Sequence, residues 1–217
     1  MIIGKKLAKY IAGKLVLRNL DIHIKEGEFV CCFGPNGAGK TTLLKVLSLL
    51  TSFQGGQLFV MGKDVKRNRG NLCRLIGLAS HDSYIYGHLT AKENLKFYGM
   101  MYDLPDAEKR SVALLQRMGL GYVENEQART FSRGMIQRLT LARAFLHEPS
   151  IIFLDEPFAG LDDSGKEILD QILWDQKTKR KTIVMVTHDR EHGLMLCDRA
   201  LIMSKGAILG ISAKETR

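Results

Sequence analysis

An α/β fold interrupted by a helical insert is what this sequence of 217 residues predicts, and three observations carry it. Apolar runs of strand length recur at 28–33, 151–154, 182–186 and 200–203, without the alternation of a half-exposed strand. From Leu89 to about His147 the pattern changes to long amphipathic helices. Between the first apolar run and the next helix lies a glycine-rich loop, GPNGAGKTT, at 34–42.

Taken in order, residues 15–24 alternate as a strand and end in the turn Lys-Glu-Gly-Glu. The apolar run to Phe33 follows as a buried strand. After the loop, Thr42 to Leu50 puts Leu43, Leu47 and Leu50 on one helical face. Gln54-Gly-Gly-Gln starts a turn and strand to Met61. Helices are expected at 89–102, 105–118 and 134–147, separated by Gly and Asp-Leu-Pro punctuation. Buried strands return at 151–154, 182–186 and 200–203, with a helix at about 164–177 between the first two. No internal repeat or low-complexity linker divides the chain, so one domain with two lobes is expected.

Composition sets outer limits. A 45% apolar content supports a sizeable core, and no apolar run approaches the roughly 18 residues of a membrane span. The N-terminal MIIGKKLAKY carries lysines where a signal peptide needs a longer apolar core, which predicts a cytoplasmic chain. The four cysteines, Cys31, Cys32, Cys73 and Cys197, lack metal-ligand spacing and read as reduced core thiols. The net charge is +9, densest at Lys63, Lys66, Arg67, Arg69 and Arg74 and over 177–181. Such runs suit an anionic membrane surface or nucleic acid, but two solvated loop faces explain them better. Neither is interleaved with the aromatic side chains of a single-strand platform, and no nucleic-acid partner is expected.

The loop Gly34, Pro35, Asn36, Gly37, Ala38, Gly39, Lys40, Thr41, Thr42 fits the phosphate-binding pattern G-x-x-x-x-G-K-[ST]. Its glycines let successive N–H groups point at phosphate oxygens. Lys40 would reach the β and γ phosphates, and Thr41 would offer a hydroxyl to Mg²⁺. Strand, loop, helix is the context such a site needs. A buried strand can expose charge only where it ends, and 151–154 ends in Asp155-Glu156. In open α/β sheets that end faces the ligand crevice. Asp155 would hold Mg²⁺, and Glu156, one residue further out, would orient and deprotonate a water in line with the γ phosphate. Ser132 is a good N-cap for the helix after it, and Gly134 permits close approach to a ligand. His188 closes the strand at 182–186 and places an imidazole at the same sheet edge; alone it reads as a plain strand-end residue.

Together these segments resemble an ATP-binding-cassette (ABC) ATPase over essentially the whole chain. The resemblance rests on the Walker A loop at 34–42, the signature Phe131–Met135, Walker B with its glutamate at 151–156, the D-loop Ala159–Asp162 and the switch histidine His188. It implies a P-loop NTPase core with an N-terminal antiparallel β part and a helical subdomain at about 86–147, inserted in a single 1–217 domain. It also implies ATP and Mg²⁺ as ligands, with Lys40, Glu156 and His188 catalytic. A head-to-tail dimer follows, in which Ser132, Gly134 and the Asp162 segment of one copy meet ATP on the P-loop of the other. Tyr10 stands where the family stacks an aromatic on adenine, or is a core tyrosine.

Three departures narrow the match. His81 stands eight residues before Leu89-Thr90, where the family's Q-loop carries a glutamine near the nucleotide and Mg²⁺; a neutral imidazole could orient a metal-bound water. The usual LSGGQ signature is FSRGM, with Arg133 and Met135 replacing glycine and glutamine. The segment SHDSYIYGHLTAKENLKFYG with SRGMIQRL is similar to the ATP-binding subunit of the haem exporter of cytochrome c maturation, and to ATPase subunits of other small exporters. The expectation is therefore a transporter ATPase at the inner face of the cell membrane, driving separate membrane-spanning subunits for haem export. Another drug, lipid or ion exporter is the alternative. A non-transport ABC protein of ribosome or DNA is a third reading, disfavoured because those usually carry two cassettes or coiled-coil arms.

Overall fold

The computed structural model describes residues 1–213. Two sheets organise it. The first is antiparallel, in the order β2-β1-β4-β5, from β1 (Ile2–Ile11), β2 (Lys14–Ile24), β4 (Gly55–Val60) and the two-residue β5 (Lys63–Asp64). The second has six strands in the order β10-β9-β3-β8-β7-β6: β3 (Phe29–Phe33), β6 (Ile76–Ala79), β7 (Ile151–Asp155), β8 (Thr182–Val186), β9 (Arg199–Ser204) and β10 (Ala207–Ala213). All its pairings are parallel except β9 with β10.

The apolar runs are explained by burial on both faces. In β3, Phe29, Cys31 and Phe33 enter one core cluster, while Val30 and Cys32 enter the other. Ile152 and Leu154 of β7 and Ile183 and Met185 of β8 join the first; Ile151, Phe153, Val184 and Val186 join the second. Helix α1 (Lys40–Leu47) packs in the second cluster. Helix α2 (Val65–Cys73) follows β5. Between β6 and β7 the chain forms α3 (Ala91–Met101), α4 (Ala107–Arg117) and α5 (Arg133–Phe145), and α6 (Asp163–Thr178) and α7 (Arg190–Leu196) flank β8.

Several expectations need correction. The first helix ends at Leu47, because Leu49 turns into the left-handed region at φ 64° and the Thr51 N–H closes on the Lys45 carbonyl. Leu50 is consequently exposed. The helix expected from Leu89 starts at Ala91, since Thr90 and Glu93 cap each other: the Glu93 N–H donates to Thr90 Oγ1 at 3.1 Å and the Thr90 N–H to Glu93 Oε2 at 2.8 Å. Ile2–Ile11, unassigned from sequence, is a strand paired on both sides.

The basic stretch at 63–74 is not a loop face. Asp64 caps α2 by accepting from the Lys66 N–H at 2.8 Å, Arg69 donates to the Leu49 carbonyl at 2.7 Å and Arg74 pairs with Asp103 at 2.8 Å. In 177–181, Lys177 pairs with Asp198 at 2.7 Å and Lys179 with Asp175 at 3.1 Å. Cys31, Cys32 and Cys197 are buried thiols, and burial pushes Cys32 up to about 12. Cys73 is exposed, against the core expectation. Among the described residues no helix is long and apolar enough to cross a membrane.

Candidate active site

The glycine-rich loop joins the end of β3 to α1 and forms one wall of a cleft of about 610 Å³. Asn36 to Thr42, Asp155, Glu156 and Val186 line it from the core side, and Ile11, Ala12, Lys14 and Val16 from the N-terminal sheet. Gly39 caps α1 at φ 99°, a left-handed conformation that glycine adopts without a Cβ clash. The N-terminus of α1 therefore opens into the cleft with its N–H groups and positive dipole end. The Lys40 Nζ lies over the loop and donates to the carbonyls of Gly34 at 2.7 Å and Pro35 at 3.1 Å.

Strand β7 brings the carboxylates to the same place. Asp155 is buried at the strand end, where it accepts from the Thr41 hydroxyl at 3.3 Å. Burial holds its pKa above the usual carboxylate range, the Glu156 charge adds to this and the Thr41 hydrogen bond opposes it. Thr41 and Asp155 present two hard oxygens at the phosphate end of the cleft, the donor type Mg²⁺ takes while keeping most of its waters. The residues fit that ion.

Glu156 has a left-handed backbone, φ 50°, uncommon for a side chain with a Cβ. Its N–H still donates to the Val186 carbonyl at 2.8 Å, so the strain is held by the β7–β8 ladder. The turn aims its carboxylate at His188. His188 Nδ1 is 2.8 Å from Glu156 Oε2, and the His188 backbone N–H donates to that oxygen at 3.2 Å.

The signature and D-loop residues lie outside this cleft. Ser132 caps α5, accepting from the Met135 N–H at 3.3 Å, and Asp162 caps α6, accepting from the Gly165 N–H at 2.9 Å. The two segments touch each other: a Cβ on Gly134 would stand 2.8 Å from the Gly160 carbonyl oxygen. His81 is exposed just after β6 and does not line the cleft. Tyr10 is 48% exposed, which excludes the core-tyrosine reading; it does not itself line the cleft, while the neighbouring Ile11 and Ala12 do.

Sequence reasoning missed the N-terminal contribution. Its signal was Ala12-Gly13, both at positive φ, a two-residue hairpin turn that swings Ile11 and Lys14 over the P-loop. It also missed Gln137, whose amide donates to the Pro157 carbonyl at 3.0 Å.

A model of the family described as ABC transporter matches residues 17–159, well over half of the chain. The chain belongs to the ABC transporter family. This ABC chain is 34% identical over 203 residues to the ABC transporter ATP-binding protein NatA of Bacillus subtilis (strain 168), covering 92% of this chain and 82% of NatA. It is 30% identical over 216 residues to the linearmycin resistance ATP-binding protein LnrL of the same organism, covering 99% of this chain and 70% of LnrL. Its fold superposes on the ATP-binding cassette MJ0796, solved as a dimer in a post-hydrolysis state with ADP and Pi, at a TM-score of 0.92 and 27% identity over the whole of both chains. It is an ABC-type ATPase, the ATP-binding subunit of a transporter.

Proposed function

We propose that this cassette hydrolyses ATP between two head-to-tail copies, with Glu156 as general base. The observation that carries the reading is the paired anchoring of one Glu156 oxygen. Oε2 accepts from both the Nδ1 and the backbone N–H of His188, while Oε1 makes no hydrogen bond among the described residues. A carboxylate held at one oxygen and open at the other, beside a phosphate cradle, is oriented to take a proton from water.

ATP would lie with its β and γ phosphates against the N–H groups of the loop and Lys40, whose contacts with Gly34 and Pro35 give way to phosphate oxygens. Mg²⁺, held by Thr41 and Asp155, would neutralise phosphate charge. Water attacks the γ phosphorus as its proton passes to Glu156 Oε1 and the bond to the β-phosphate oxygen breaks. Ser132, Gly134 and the Asp162 segment would reach ATP on the second copy, a reading supported by their place outside this copy's cleft and by the dimeric state of the MJ0796 cassette. The His81 imidazole would orient a metal-bound water, standing in for the Q-loop glutamine.

The membrane-spanning subunits would dock beside α3, at the cytoplasmic inner face of the membrane. Exposed apolar side chains support this: Met100 at 66% and Met101 at 62% exposure stand one turn beyond Phe97, whose ring meets Tyr86 edge-on at 5.2 Å between centroids. Export rather than import is favoured by LnrL, a resistance protein matched over nearly all of this chain. Haem as cargo rests on the 80–99 segment and the SRGMIQRL stretch; LnrL and NatA do not name it. Isothermal titration with ATP and Mg²⁺ tests the cradle. Lys40→Ala should weaken binding at least about tenfold through loss of a charge on the phosphates; unchanged affinity would contradict it.

A further inference from the structure

The histidine one turn beyond His188 has partners that the reaction as described does not use. His192 Nε2 lies 2.9 Å and 3.1 Å from the two carboxylate oxygens of Asp170 on α6. Its ring packs on Phe158, centroids 4.3 Å apart and planes at 47°. Its backbone N–H donates to Asp189 Oδ1 at 3.0 Å, the cap of α7. One side chain thus joins three elements: the helix that follows His188, the helix that follows the D-loop, and the turn that carries Glu156.

We propose that His192 is a positioning residue for hydrolysis, holding the Glu156–His188 pair in register. Both ends of its tie reach the pair through very little chain. His192, in the first turn of α7, is four residues from His188, and Phe158 is two residues from Glu156. The segment between is rigid, since the Ala159 N–H donates to the Glu156 carbonyl at 3.0 Å and the Leu161 N–H to the Phe158 carbonyl at 3.2 Å. Movement of Phe158 is therefore passed to Glu156.

The rest of α7 is fixed independently. A Cβ on Gly193 would stand 2.8 Å from the Phe33 ring, so the helix sits close on β3. At its far end Lys177 of α6 donates to the Leu196 carbonyl at 2.8 Å. Losing His192 would leave these seats intact and free only the N-terminal end of α7, whose cap Asp189 directly follows His188. Such a loss predicts a defect in catalysis with the fold retained. The ATP cradle, on β3 and α1, shares no side chain with the tie, so ATP binding should be untouched.

The inference rests on the Glu156–His188 reading, and one set of steady-state ATPase assays separates the two. His192→Ala, His192→Phe and Asp170→Ala should each lower kcat about five- to twentyfold with KM for ATP within about twofold of wild type. His192→Gln, which keeps a donor toward Asp170, should retain at least about half of wild-type kcat. The His192→Ala/Asp170→Ala double variant should be no worse than the singles, since both remove one tie. Wild-type kcat in His192→Phe and Asp170→Ala would overturn the proposal, as would additive losses in the double variant or KM rising as kcat falls. A dead Glu156→Gln beside a normal His192→Phe would sink this inference alone; an active Glu156→Gln would sink the reading beneath it.

Discussion

His188 and Glu156 meet twice at one atom: ring Nδ1 at 2.8 Å and backbone N–H at 3.2 Å, both on Glu156 Oε2. The double contact exists because β7 and β8 are parallel neighbours, with Asp155 opposite Val186, so the residues just past both strand ends share one edge. Side chain and backbone contribute separately, and a mutation can remove one without the other.

His188→Ala keeps the backbone donor and loses the ring. Its kcat should fall on the order of a hundredfold, while ATP affinity measured by titration stays within about threefold, because no His188 atom lines the cradle. A normal kcat would show that the backbone contact alone orients Glu156.

Gly134→Ala tests the seat of the signature helix on the D-loop. The added methyl would stand 2.8 Å from the Gly160 carbonyl oxygen, against backbone that cannot yield as a flexible side chain would. Overpacking of this kind costs about 1–3 kcal/mol, so thermal unfolding should shift down by roughly 3–10 °C. An unshifted Tm would mean the two segments part easily.

His147 carries a pH dependence of stability unrelated to catalysis. It stacks on Tyr102 with ring centroids 3.9 Å apart and its Nε2 lies 3.0 Å from the Ile76 carbonyl. Burial lowers its pKa from 6.5 to about 4. The unfolded chain therefore takes up the proton first, and stability contributed by neutral His147 is lost as pH falls from about 6.5 toward 4. The loss is roughly 3 kcal/mol at its limit. Urea unfolding at pH 7 and pH 4.5 should show a smaller acid loss in His147→Gln than in wild type; equal losses would contradict the assignment.

Which parts of this were legible in the sequence follows from what each element needs. Strands β3, β7 and β8 were readable because burial on both faces leaves an unbroken apolar run. Strand β1 was not, because Lys5, Lys6 and Lys9 interrupt its pattern and register shifts break its pairing with β2. Helix α2 was hidden by its basic composition, since its start is set by the Asp64 cap rather than by periodicity. Lys40, Thr41, Asp155 and Glu156 were readable because their motifs are local. The roof of the cleft over Ile11 and Lys14, and the His192–Asp170 contact, depend on pairings between distant segments that no local pattern records.

Glu156→Gln is the decisive variant for the proposed role of Glu156 as the base that takes the proton from the attacking water. The amide is nearly isosteric and leaves Lys40, Thr41 and Asp155 in place. ATP hydrolysis under multiple turnover should fall by about 10²–10⁴-fold, with ATP affinity intact and an ATP-dependent dimer accumulating on gel filtration. A Glu156→Gln protein that hydrolyses ATP at the wild-type rate would contradict the account.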